Sequence, residues 1–174
     1  MGGAELCILG VDPGLRYTGW GVITTKGTHV RVVASGTLHS SNNIPLPERL
    51  VQLSDALRQV IVTYNPDEAA IEETFVNKNA LSSLKLGHAR GALMLTLSQQ
   101  GLSIAEYAAT LVKKSVTGSG RADKEQIQGM VRMLLPGHNP DSADAADALA
   151  VALCHGQHRT ISQAVMSGLE KASG

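Results

Sequence analysis

Acidic side chains supply the first chemistry in this chain, because four of them stand where folding alone has little use for a charge. Asp12 ends an apolar run that begins at Cys7, directly before Pro13-Gly14. Period-two alternation puts it on one strand face with Ile8 and Gly10, and Gly10 leaves room beside it. Alone, such a residue is accounted for as a turn acceptor of backbone hydrogen bonds. Glu72 and Glu73 close a second short strand, Glu68 to Glu73, an element depleted in glutamate unless it faces water or a ligand. Alternation lets one of the two, and not both, face the same way as Ala70. Asp144 and Asp147 lie three apart on an alanine-rich helix, with β-carbons roughly 5 to 6 Å from each other. Their repulsion costs about 0.2 to 0.5 kcal/mol unless a cation sits between them. Stabilisation of the helix N-terminus, with Asp141 as the cap, accounts for Asp141 and Asp144 and leaves Asp147 unexplained.

Four carboxylates with no Cys or His at coordinating spacing select hard, oxygen-preferring cations, Mg²⁺ where the substrate is a phosphate, and disfavour zinc. Two such ions roughly 3.5 to 4 Å apart activate a water and stabilise the leaving oxygen of an in-line phosphodiester displacement. The positive charge that a phosphate chain needs is concentrated in one segment. Val76 to Arg132 holds eight basic residues (Lys78, Lys85, Arg90, Lys113, Lys114, Arg121, Lys124, Arg132) against Glu106, Asp123 and Glu125. Within it, Lys113 to Lys124 encloses Gly118-Ser119-Gly120, whose freedom lets backbone and lysines approach a phosphate. Lys78, Lys85, Arg90, Lys114 and Arg121 are accordingly candidate DNA contacts. Phe75 is the only phenylalanine among five aromatics, which leaves room for a single wedge between bases and none for general stacking.

The elements that must position these groups follow from periodicity. Cys7 to Asp12, Trp20 to Thr25 and Val30 to Leu38 read as three strands on short links, an antiparallel meander. Leu46, Leu50, Leu53, Leu57, Val60, Ile61 and Tyr64 then recur at helical spacing, with Pro47 tolerated in the first turn. A strand at Glu68 to Glu73, a helix from Asn79 to Gln100 closed by Gly101, and a strand at Leu102 to Tyr107 follow. Two more helices are expected, Asp123 to Leu135, with Asp123 and Gln126 as a capping pair, and Asp141 to Gly156. The pattern predicts an α/β fold, a mixed five-stranded sheet flanked by helices. Residues 1–156 read as a single domain and 157–174 as a flexible tail. His155 and His158 read as polar residues at a helix end, outside any site. Gly87 and Gly91, four apart inside a helix, cost roughly 2 kcal/mol against alanine. A close approach by another helix, within the subunit or across a dimer, or by DNA backbone would offset that cost.

Bulk properties bound these readings. A chain of 174 residues that is 43% hydrophobic and 17% charged fits one soluble domain with a sizeable core. Fifteen basic residues balance fifteen acidic ones, a total that argues mildly against a nucleic-acid binder until the segregation of charge is seen. The two cysteines, Cys7 and Cys154, read as core residues of a reducing compartment. No leader pattern and no membrane-length apolar run is present, so the expected location is the cytoplasm.

The acids stand in Ile8-Leu9-Gly10-Val11-Asp12-Pro13-Gly14, in Ala70-Ile71-Glu72 and in Ala143-Asp144-Ala145-Ala146-Asp147-Ala148-Leu149-Ala150. In that order they closely resemble the RuvC-type Holliday junction resolvases. The similarity takes in Asn79-Ala80, Leu84-Lys85-Leu86-Gly87, Ala89-Arg90-Gly91 and Val112-Lys113, and runs from about residue 6 to 156. It implies an RNase H-like fold and a bacterial homodimeric endonuclease. That enzyme would resolve four-way DNA junctions in recombination and repair by paired symmetric nicks leaving 5′-phosphates. The resemblance places the metal-binding catalytic set at Asp12, Glu72, Asp144 and Asp147, with two Mg²⁺ ions per site and Mn²⁺ as a substitute. It implies catalytic or DNA-contacting roles for Lys113 and Lys124 and a place beside unstacked junction bases for Phe75. It also implies partnership with a RuvA/RuvB-type branch-migration complex. Two other classes share parts of the pattern. Actin-like kinases open with a similar Asp-Pro-Gly phosphate loop but need a second domain, and a non-catalytic RNase H-like module would lack one or more of the acids.

Overall fold

Residues 4–74 and 79–172 are described by the computed structural model, with side chains as far as Ser162. The elements in chain order are β1 (Leu6–Asp12), β2 (Tyr17–Lys26), β3 (His29–His39), α1 (Leu46–Tyr64), β4 (Glu68–Glu72), α2 (Ala80–Gln99), β5 (Ser103–Tyr107), α3 (Ala109–Thr117), α4 (Lys124–Leu134) and α5 (Ala143–Ala172). The strands form one mixed sheet in the order β3-β2-β1-β4-β5. The first three pair antiparallel, and β4 and β5 are reached through helical crossovers and run parallel to β1. This is the five-stranded mixed sheet that the alternation of periods led us to expect.

Strand alternation divides the core in two. Leu9, Val11 and Ile71 face α1 and α2, where they pack with Leu53, Leu57, Ile61, Leu93 and Leu97. Ile8 and Ala70 face the other way and pack with Val112, Ile127, Val131, Leu149 and Leu153 of α3, α4 and α5. Asp12 and Glu72, in phase with Ile8 and Ala70, belong to this second face.

Helix α5 crosses that face at unusually short range, and glycines permit it. A Cβ at Gly10 would lie 2.2 Å from the Ala148 carbonyl oxygen, and one at Gly19 would lie 1.9 Å from that of Asp144. A Cβ at Gly21, paired with Gly10 across β1 and β2, would meet the Leu149 side chain at 2.7 Å. Alanines at 145, 146, 148, 150 and 152 complete the contact, all buried. Three glycines on one sheet face thus set how deep the Asp144–Asp147 turn can sit. A Gly-x-Gly in the middle of β2 is the sequence signal for such an approach.

Two elements differ from the expected pattern. Residues 109–117 form a helix that periodicity did not reveal, because four of its nine residues, Thr110, Val112, Val116 and Thr117, are β-branched and hold helical conformation only through packing. Gly118 then ends it in left-handed conformation at φ 79°. Helix α5 does not stop at Gly156 but continues to Ala172, since no proline interrupts residues 157–172 and an isolated glycine is tolerated. His155 is therefore mid-helix and buried. Its Nε2 lies 2.8 Å from Glu68 Oε2 and its Nδ1 2.8 Å from the Tyr107 hydroxyl. Among the described residues no helix is long and apolar enough to cross a membrane. Cys7 is partly buried, Cys154 is buried, and both are free.

Candidate active site

β1 and β4 run parallel, with Gly10 beside Ala70 and Val11 beside Ile71, so their last residues, Asp12 and Glu72, emerge together at one edge of the sheet. Asp144 and Asp147 come over the same edge from the first two turns of α5. That helix is capped by Ser142, not by Asp141: Ser142 Oγ accepts from the Ala145 N–H at 3.0 Å and is held by Thr37 Oγ1 at 2.6 Å. The expected cap fails because Asp141 is exposed while Ser142 is pinned to β3.

Asp12, Glu72 and Asp147 line a cavity of about 250 Å³ with Val112, Lys113, Lys124 and Ile127. Lys124 Nζ stands 3.8 Å from Asp147 Oδ2. Asp144 sits at the margin, close enough to act electrostatically on both Asp12 and Asp147. A larger cavity, about 450 Å³, lies at the other end of the sheet near Thr25, Leu134 and Ile161 and has no ionisable residue lining it among the described residues, so size does not mark the chemistry here.

Burial is the main force on these acids, and mutual repulsion adds to it. Asp12 is pushed well above the usual carboxylate range, first by desolvation and then by Glu72, Asp147 and Asp144, with Lys124 partly opposing. Glu72 is raised to about 7 by desolvation and Asp147, against Lys113 and Lys124. Asp147 is raised by its own burial and by Asp144, with Lys124 pulling the other way. Carboxylates that raise one another's proton affinity at a shared cavity form the donor set a hard cation fits. Among the described residues no three such side chains converge at ligating distance as they stand. The backbone brings the acids to one place, and it is their charge that a cation would draw inward.

A stability consequence follows. The folded values of Asp12 and Glu72 exceed those of the unfolded chain, about 3.9 and 4.3. The native state therefore holds more protons over that range, and its stability falls as pH rises from about 4 toward 7. In chelator, the decline of melting temperature across this window is expected to be shallower in Glu72→Gln than in the parent. Equal slopes in differential scanning fluorimetry would refute the coupling.

The remaining candidates divide. Lys113 and Lys124 line the cavity. Lys114 and Arg121 are exposed at its α3–α4 flank, and Lys85 is exposed on α2, across the sheet from the carboxylates. Arg90 is turned inward: its Nε donates to the Glu72 carbonyl oxygen at 3.0 Å, and its guanidinium pairs with Glu106. That side chain is 17% exposed, so it braces the end of β4. Phe75 and Lys78 lie outside the described residues. Glu73 does not line the cavity, and its N–H donates to the Tyr107 carbonyl oxygen at 2.8 Å.

Known proteins resemble this chain in sequence and fold. The family model for crossover junction endodeoxyribonuclease RuvC matches residues 8–155. The crossover junction endodeoxyribonuclease RuvC of Paramagnetospirillum magneticum is 56% identical over 156 residues, spanning 90% of this chain and 94% of the relative. That of Gluconobacter oxydans is 50% identical, spanning 95% and 98%. Among solved structures, T. thermophilus RuvC in complex with Holliday junction substrate has a TM-score of 0.83 at 30% identity, covering 90% of this chain and 96% of that one. The yeast mitochondrial Holliday junction resolvase Ydc2, at 13% identity and a TM-score of 0.63, covers 88% of this chain and 79% of its own and shares the fold. The sheet with its two helical layers is thus the RNase H-like fold.

Proposed function

The chain belongs to the crossover junction endodeoxyribonuclease RuvC family, and from that premise we propose that it resolves four-way DNA junctions by paired, symmetric, metal-dependent nicks in recombination and repair. The observation that carries this is the convergence of Asp12, Glu72 and Asp147 on one cavity beside Lys113 and Lys124. Asp12, Glu72, Asp144 and Asp147 would hold the divalent ions, two Mg²⁺ with Mn²⁺ as a substitute. The chemistry supplied there is Lewis-acid charge for the phosphate and a water of lowered pKa. Lys113 and Lys124 contribute positive charge to the phosphate in transit, and Lys124 also shields Asp147. Lys85, Lys114 and Arg121 are proposed to hold flanking phosphates, which fixes register without reading sequence. Phe75 keeps its proposed place beside the junction bases, and Lys78 its proposed contact with DNA. In this reading the enzyme works in the bacterial cytoplasm, alongside a branch-migration complex.

Two symmetric nicks need two copies of the site, hence a twofold dimer. The exposed stripe of α2 supports that assembly. Leu84 and Leu95 are 58% and 59% exposed on it, and among the described residues a Cβ at Gly87 or Gly91 would meet nothing within 4 Å. Neither glycine is therefore explained by packing against the described residues of the subunit, and the α2 of a second copy is the proposed neighbour. Leu84→Glu with Leu95→Glu is expected to halve the mass seen by analytical ultracentrifugation. A variant that remains dimeric would place the interface elsewhere.

The function itself is tested on a labelled synthetic four-way junction with Mg²⁺, with a linear duplex of the same sequence as control. Paired nicks confined to the junction, with 5′-phosphate ends, are expected. Junction binding without cleavage, in Mg²⁺ and in Mn²⁺ on several sequences, would leave a binding module instead of an enzyme.

A further inference from the structure

We infer that Arg16, Tyr17 and His39 form a second DNA-contact surface, seated on the side of the carboxylates opposite Lys113 and Lys124. The inference rests on the nuclease reading and adds to it where the bound strand goes. Strand register places the three residues. Asp12 pairs with Gly19 and Tyr17 with His39. Gly19 faces α5, since its Cβ would strike Asp144, so Tyr17, two residues away, points to the same face. Thr37 also faces α5, through its hydrogen bond to Ser142, and carries His39 with it by the same alternation. Across the strand ends on this one face the order is His39, Tyr17, Asp12, Glu72. Tyr17 stands two residues beyond the partner of Asp12, roughly 7 Å along the strand.

The side chains there are built for a nucleic-acid strand. Tyr17 is 43% exposed, in a chain with few aromatics. Its ring centroid lies 5.3 Å from that of His39, tilted by 42°, and the Arg16 guanidinium lies 5.0 Å over it. Among the described residues no carboxylate pairs with Arg16, which leaves its charge for a ligand. The turn beneath is fixed. Ser40 N–H donates to the Arg16 carbonyl oxygen at 3.1 Å, and Arg49 donates to the Leu15 carbonyl oxygen at 3.2 Å and to Ser40 Oγ at 3.1 Å. A rigid platform pays little ordering entropy on binding.

The chemistry is a phosphate oxygen on Arg16 and an adjacent base or sugar against the Tyr17 and His39 rings, a sequence-tolerant mode. It also answers the balanced net charge. A strand crossing an acidic site is repelled by it, and with Lys113 and Lys124 on one side only, the other side needs a cation. Arg16 supplies it.

The test uses the full chain and a labelled four-way junction in EDTA, where binding is read without cleavage, with Mg²⁺ turnover measured separately at saturating junction. Tyr17→Ala is expected to weaken binding roughly tenfold and Tyr17→Phe to leave it unchanged. Arg16→Gln is expected to weaken it and to lower the slope of log Kd against log salt by about one. Melting temperatures should match the parent's in all three, because both positions are exposed. Unchanged affinity and salt slope in Tyr17→Ala and Arg16→Gln, with a parent that binds and cuts junctions, would overturn this surface alone. A parent that binds no junction would overturn the nuclease reading and this surface with it.

Discussion

Substituting Asp12 by Asn is expected to lower junction cleavage by roughly 10²- to 10³-fold or more, while junction binding in EDTA stays at least as tight. Asp12 is the acid on which all three others act. Its amide keeps the shape of the carboxylate and removes the charge, so the loss is one of cation affinity and not of packing. Binding should hold or improve because one repulsion between protein and phosphate is gone. The same change should raise melting temperature at neutral pH in chelator. The ionised form of Asp12 is disfavoured in the fold, first by burial and then by its neighbours, and an amide escapes that penalty. Slower cutting joined to higher stability is the signature of a charge kept for function. Single-turnover cleavage and scanning fluorimetry on one preparation measure both. A variant that cuts at the parent rate would remove Asp12 from the machinery. One that loses activity and stability together would make its role structural.

Gly10→Ala should be strongly damaging although it leaves every charge in place. The added methyl would lie 2.2 Å from the Ala148 carbonyl oxygen, 2.6 Å from the Ala152 nitrogen and 2.9 Å from the Ala152 Cβ. Two of these three atoms are backbone, so no rotamer change relieves the clash and α5 must lift from the sheet. Overpacking of this kind costs about 1 to 3 kcal/mol, which at the upper end lowers the melting temperature of a chain this size by roughly 6 to 12 °C. Activity should fall further than stability explains, because Asp144 and Asp147 ride on the displaced helix. Gly129→Ala in α4, where a Cβ meets nothing within 4 Å among the described residues, is the control, and there a modest rise in melting temperature is expected. A Gly10→Ala protein with parental melting temperature and cleavage rate would show that the sheet and α5 are not held at this depth.

What the sequence determined by itself is what lies within a few residues of its cause. The 3.6-residue spacing from Leu46 to Tyr64 gave α1. The reciprocal hydrogen bonds of Asp123 and Gln126 are visible as a capping pair before any coordinates, and Asp147 declares itself by an i, i+3 repulsion with Asp144 that the helix N-terminus does not explain. Alternation could reduce Glu72 and Glu73 to one residue without choosing between them. The resemblance named Glu72, and the parallel pairing of β1 with β4, segments some sixty residues apart in the chain, sets it at the same strand end as Asp12. Tertiary structure alone decided several other points. Residues 109–117 became helix because Val112 and Val116 are buried against the sheet side of the fold. Arg90 turned inward because the Glu72 carbonyl and Glu106 lie within its reach. Arg16 and Tyr17 reached His39 only once β2 had paired with β3. Periodicity and capping act over one turn of chain and can be read along it. A site made from the ends of β1 and β4 and the start of α5 depends on which strands pair and how closely a helix can lie on glycine, and both are set by packing across the whole sheet.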